Sequence, residues 1–321
     1  MTRAVGVAAL VLLGGCSPRI VDAVDAVGAG AAGAPDVPKC DAKADRDGDG
    51  SSDCDDACPD QPHKTEPGLC GCALPDDDDV EPGVASCTGL IQSLVHRYTF
   101  DGTGTAVHDA MGGADGTVMG ATLSGSGAVT LAGRMSDEYV DLPNGLISGL
   151  DSVTLEAWLT WYGGYEWQRI FDFGNDQTNV EGNRGAGSTY LFCTPRLPDD
   201  GDALLRVAYQ RASFAEMQLD ATRMLPPGLL TQVVVTFDAP SATLAIYLDG
   251  GLENSKVFED LRLSAVHDIN DWLGRSQYAA DPELGATIEE FRIYNRALSA
   301  AEVHASSTAG QNPSFLPVVA P

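Results

Sequence analysis

Basic side chains are scarce in this chain. Nineteen Lys and Arg stand against 46 Asp and Glu, for a formal charge of −27 and a pI near 4.2. Such a surface repels polyanions, which excludes the basic footprint of a nucleic-acid binder. Histidine is sparse too, and His63, His96, His108, His267 and His304 form no spaced cluster. No Gly-x-Ser-x-Gly elbow occurs, so that route to a serine nucleophile is not offered. Beyond the first residues no apolar run is long enough to cross a bilayer. Residues 40–88 have almost no large apolar side chains. That segment cannot build a core of its own and needs other staples.

The chain opens with Arg3, the apolar run Val5 to Leu13 and then small residues, the order of an export signal too short to span a membrane. Leu13-Gly14-Gly15-Cys16 resembles the bacterial lipobox. The resemblance implies lipidation at Cys16, and Ser17 after it resembles the outer-membrane type, so the expected location is the outer membrane or cell surface. An ordinary cleaved signal with an incidental Cys16 is the alternative. Residues 17–39, rich in Ala, Gly and acid, read as a flexible spacer.

Charge and cysteine then concentrate together. Between Asp36 and Cys87 there are 15 acidic residues against 4 basic ones. Cys40, Cys54, Cys58, Cys70, Cys72 and Cys87 are crowded into the same stretch, while Cys193 stands alone downstream. In an exported chain six close cysteines read as a disulfide framework of undetermined connectivity; a four-sulfur zinc site is the rival. In "DRDGDGSSDCDDACP", counting Asp45 as position 1, carboxylates fall at 1, 3, 5, 9 and 12: Asp45, Asp47, Asp49, Asp53 and Asp56. Gly50 sits at position 6, and Ser51 at 7 can offer its carbonyl. That is an oxygen set for Ca2+, which would turn repulsion among the carboxylates into coordination. "DRDGDGSSDCDDACPDQPHKTEPGLCGC" resembles the thrombospondin type 3 repeat, a spacer held by calcium and disulfides.

From about Leu90 onward, short runs rich in Val, Ile, Leu, Thr and aromatics alternate with Gly, Asp, Asn and Pro, as in an all-β sandwich. "VVVTF" reads as a strand buried on both faces, and Asp249 to Gly251 as a hairpin turn. Ser299 with Glu302 forms a capping box before a short helix, and the last dozen residues read as a loose tail. "LVHRYTFDGTG", "YVDLPNGLISGLDSVTLEAW", "WQRIFDFGN", "YLFCTP", "WLGRSQYAADP" and "IEEFRIYNRALSAAEV" resemble the laminin-G-like, concanavalin A-like jelly roll. The resemblance covers residues 94–304 and implies a two-sheet antiparallel sandwich, over 90–306 as a domain, with first and last strands paired. It also implies one calcium near those strands, with Asp101 and Glu290 as candidate ligands and Asp109 as a weaker third. Cys193 lies where the family is usually aliphatic and reads as a buried free thiol.

Members of that family bind carbohydrate or protein, and many accompany glycosidases. The expectation is therefore a non-catalytic surface module, its ligand patch on the loop "WLTWYGGYEWQR", where Trp161, Tyr162, Tyr165 and Trp167 flank two glycines. Two alternatives remain: a glycoside-active enzyme on the same fold, or a purely structural envelope protein. The Glu-x-Asp-x-x-Glu strand motif of jelly-roll glycosidases does not occur here, which disfavours the first.

Overall fold

The computed structural model describes residues 44–62, 64–68, 70–72, 74–76, 86–198, 204–311, 313 and 316. The export signal, Cys16, the 17–39 spacer and Cys40 lie outside the described residues. All that follows belongs to one compact unit, Asp41–Pro321. Among the described residues no helix is long and apolar enough to cross a membrane.

In chain order the elements are α1 (Cys87–Ser93), β1 (Leu94–Tyr98), β2 (Thr103–Gly104), β3 (Ala106–Val107), β4 (Gly116–Met119), β5 (Leu123–Ser124), β6 (Val129–Arg134), β7 (Tyr139–Leu142), β8 (Val153–Trp161) and β9 (Phe171–Asp176). They continue as β10 (Gly187–Thr194), β11 (Arg206–Gln210), β12 (Met217–Asp220), β13 (Leu230–Asp238), β14 (Thr243–Leu248), β15 (Gly251–Val257), β16 (Asn270–Leu273), β17 (Glu283–Tyr294) and α2 (Ala300–Ala309). Two large antiparallel sheets result, and β2 and β5 form a separate two-stranded one. The back sheet runs β1-β17-β8-β13-β14-β15, with β6 also on β17; the front sheet runs β12-β11-β10-β9-β16-β7-β4-β3. First and last strands pair, Tyr98 opposite Phe291, as the jelly-roll resemblance implies.

The period-two alternation of a strand puts every second side chain between the sheets. Leu155 and Leu159 on β8, Val233, Val235 and Phe237 on β13, and Phe171 and Phe173 on β9 all enter that core. Phe171, Phe173 and Phe291 meet there with ring centroids 5.8–6.2 Å apart, tilted or edge-on, an arrangement that suits the ring quadrupoles. Cys193 is buried beside them as a free thiol, and burial raises its pKa.

The back sheet is covered on its outer face as well. Val234, Ala245, Tyr247 and Tyr294 pack against Leu90 of α1, Leu298 and Val303 near α2, and Cys70, Leu74 and Cys87 of the cysteine-rich segment. This is why "VVVTF" carries no polar alternation: Val233 and Val235 face the sandwich while Val234 faces a second core. Helix α1 runs across the expected boundary near residue 88, so the small module is packed onto the sandwich. Leu316, expected in a loose tail, is buried in the same cluster.

Local chemistry explains the joints. Ser299 and Glu302 complete the capping box of α2, and Arg296 clamps the Glu302 carboxylate while donating to the Gly89 carbonyl within α1. The β14–β15 turn places Asp249 at φ 50° and Gly250 at φ 77°. A Cβ on Gly250 would lie 2.8 Å from Ser307 Cβ, so both the turn and the seat of α2 require glycine.

Candidate functional site

The acidic loop forms a partial cradle. Asp45, Asp47 and Asp49 each place a carboxylate oxygen within 4.8 Å of the others. Asp45 accepts from Gly48 N and Gly50 N at 2.8 and 3.2 Å, and Asp49 from Ser51 N at 2.7 Å, so the loop winds tightly around its own carboxylates. Gly48 and Gly50 allow this at φ 79° and 96°. Asp47 Oδ2 is buried without a hydrogen-bond partner among the described residues. Hard oxygens of this kind suit Ca2+. Asp53 instead accepts from Arg46 N at 2.9 Å and pairs with its guanidinium, and Asp56 accepts from Cys58 N at 2.7 Å. The cysteines around the loop are bonded to one another, which removes the four-sulfur zinc alternative: Cys58 to Cys72, Cys70 to Cys87, and Cys54 also in a disulfide.

The second calcium expectation is corrected. Asp101 is exposed on the turn after β1, whereas Glu290 is fully buried between two guanidiniums, Arg97 Nε at 2.7 Å and Arg292 Nε at 2.5 Å. A divalent cation at Glu290 would stand against those two like charges. Asp109 is saturated by Arg97 N, Met111 N and His96. Glu290 belongs instead to a buried network that continues through Arg292 to Glu156. The Glu156 carboxylate accepts from Trp158 Nε1, Gln232 Nε2, Arg292 Nη1, Ser306 Oγ and Tyr294 OH at 2.7–3.1 Å.

The aromatic loop divides. Trp161 is buried, its Nε1 donating to Gln168 Oε1 at 2.7 Å, and is corrected from ligand residue to packing residue. Tyr162 and Tyr165 are half exposed; Tyr162 bonds Thr287, and the Arg134 guanidinium lies 5.6 Å from the Tyr165 ring. Trp167, at φ 62°, turns onto the outer face of the front sheet.

There it meets a cleft of about 200 Å³, lined by Trp167, Arg169, Phe192, Glu216, Tyr278 and Asp281. The alternation of β10 supplies the floor: Leu191 and Cys193 go inward, and Tyr190 and Phe192 outward. Arg169 lies 3.9 Å over the Phe192 ring and 5.8 Å from Trp167. It pairs with Asp281 at 2.7 Å and with Asp172 at 3.4 Å. Tyr278 packs edge-on against Tyr190, their hydroxyls 3.0 Å apart, and Tyr190 also donates to Glu216. Burial pushes the Asp172 carboxyl up to about 7, against the lowering effect of Arg169, and it raises Asp281 as well. Asp172 Oδ1 has no hydrogen-bond partner among the described residues.

Of the four aromatics expected to bind ligand, only Trp167 lines this cleft. Arg169, Phe192, Glu216, Tyr278 and Asp281 were not anticipated. The outward parity of Tyr190 and Phe192 within "TYLFCT" was the available signal.

Comparison with known proteins bears on the fold. Residues 134–304 match the family model described as the concanavalin A-like lectin/glucanases superfamily. No curated protein matches the chain. Among solved structures, a Trypanosoma rangeli sialidase bound to 2,3-difluorosialic acid is 16% identical, covering 69% of this chain and 34% of that one, at a TM-score of 0.51. The binding domain of botulinum neurotoxin DC, in complex with rat synaptotagmin II, is 13% identical, with 70% and 53% covered and a TM-score of 0.50. Domain 4 of an extracellular arabinanase from Geobacillus stearothermophilus, in complex with arabinotriose, is 20% identical, with 66% and 97% covered and a TM-score of 0.49. At these identities the likeness is one of fold. The family match reaches over half the chain and falls on the strands of both sheets, so the chain belongs to the concanavalin A-like lectin/glucanases superfamily.

Proposed function

We propose that the protein is a non-catalytic surface module that binds carbohydrate in the front-sheet cleft. The observation that carries this reading is the cleft's make-up. Trp167, Phe192 and Tyr278 present ring surface, and the Arg169–Asp281 pair and Glu216 supply polar groups beside it. Apolar walls with a few fixed polar groups are what a small-ligand site needs. A retaining glycosidase needs two carboxyl groups about 5–5.5 Å apart that both reach the sugar. Asp172 is fully buried, Asp281 is held by Arg169 and Ser276, and Glu216 accepts from Tyr190 and Gln218, so each carboxyl group at the cleft is already engaged, which supports binding over hydrolysis. In the same reading Cys16 carries a lipid anchor and Asp45, Asp47 and Asp49 hold Ca2+ in the segment next to the sandwich.

A glycan array probed with the purified protein, followed by titration of the strongest hit, tests this. Trp167→Ala is expected to weaken that binding at least about tenfold, near 1.4 kcal/mol. Absence of any glycan signal would overturn carbohydrate as the ligand and leave a protein partner. Release of reducing sugar from a bound glycan would overturn the non-catalytic part.

A further inference from the structure

A larger cleft, about 680 Å³, opens where the edge strands β12 and β15 lie side by side. Glu216 lines both this cleft and the one at Trp167, so the two adjoin at that residue. The smaller alone falls below the roughly 300–1,000 Å³ usual for ligand sites, whereas the larger falls within that range.

The second cleft has its own ring platform. Phe214 is 56% exposed, yet it is not free to swing. The Arg211 guanidinium covers one face at 3.9 Å, and Gln210 Nε2 donates to both the Arg211 and Phe214 carbonyls, pinning the loop between β11 and β12. On the opposite wall Lys256 lies 4.8 Å over Phe258. An exposed aromatic held in one orientation loses little entropy when a ligand stacks on its open face.

The charges narrow the ligand class. Arg169 pairs with Asp281 and Asp172, Arg211 with Asp260, and Arg206 with Asp220. Glu216 and Glu259 add negative charge to the walls. The lining carboxylates Glu216, Asp220, Glu259 and Asp281 outnumber the lining cations Arg169, Arg211 and Lys256, so an anionic sugar meets walls of net negative charge.

We infer that the ligand is a neutral oligosaccharide several units long, with one end in the Trp167 cleft and the other over Phe214. This rests on the carbohydrate reading above. Titration calorimetry of the full chain with cello-, xylo- and arabino-oligosaccharide ladders, from disaccharide to hexasaccharide, tests it. In the ladder that binds, affinity should rise about tenfold or more with length. Phe214→Ala should collapse the hexasaccharide-to-disaccharide ratio, and Phe214→Trp should preserve it. Trp167→Ala should weaken every member. A ratio indifferent to Phe214→Ala, or affinity independent of length, would overturn the extended site while leaving the first cleft standing. Stronger binding of oligogalacturonates would overturn the neutral class. No binding by any ladder, with a hit of another class on the glycan array, would overturn this inference alone; no binding in either would overturn the carbohydrate reading with it.

Discussion

Single side chains here are decided by partners distant in sequence. Glu156 sits mid-strand in "TLEAW" and looks isolated, but five donors converge on it. Glu156→Ala would take from the buried Arg292 guanidinium one of its two carboxylate partners, leaving Glu290, and would leave four neutral donors without their acceptor. Removing one partner of a buried ion pair typically costs about 3–5 kcal/mol, and denaturant unfolding should show a loss of that size. Glu290 was misread for the same reason: Arg97, its ion-pair partner, lies 193 residues away. Asp172 makes a pH prediction. Its carboxyl is raised to about 7 when folded, against roughly 3.9 unfolded. The native state therefore binds that proton more tightly, so its contribution is fully present below pH 4 and is lost as pH rises to about 7. Asp172→Asn keeps the shape without the charge. The stability difference, variant minus parent, should grow across that window and level off above it. A difference flat with pH would show that Asp172 is not the group that titrates.

Elements were legible where their signals are local. The α2 cap, the 249–251 turn and the doubly buried β13 can each be read from a few adjacent residues. The cleft could not be, because Trp167, Phe192, Glu216 and Tyr278 come from four segments that only strand register brings together. The turn yields a sharp test. Gly250→Ala places a Cβ at positive φ and against Ser307, and should cost about 1–3 kcal/mol. The acidic loop yields another. If Asp45, Asp47 and Asp49 take Ca2+, millimolar calcium should raise the unfolding temperature and chelator should lower it. Asp47→Asn with Asp49→Asn should shrink that difference. A transition indifferent to calcium would leave the loop a self-bonded acidic turn.

At the scale of the molecule, the two sheets have unequal outer faces. The back sheet is roofed by α1, α2 and the cysteine-rich segment, while the front sheet exposes the Trp167 cleft and the second cleft opens where its edge strand β12 meets β15 of the back sheet. A stalk that merely holds the sandwich off a surface would unfold on its own, and its loss would leave the sandwich intact. The packing argues otherwise. Cys70 and Cys87 are themselves members of the cluster that buries Val234, Tyr247 and Tyr294, so their disulfide ties the segment to the back sheet. Breaking it releases a loop and loosens a shared core together. Cys70→Ser with Cys87→Ser should therefore lower one common transition, by about 2–5 kcal/mol as is usual for a native disulfide in a small secreted domain. Near-ultraviolet dichroism, reporting the buried aromatics, and calorimetry should move together. Two separate transitions in the parent protein, with the variant shifting only the smaller, would show instead that the segment folds apart from the sandwich and that the roof contributes nothing to the face opposite.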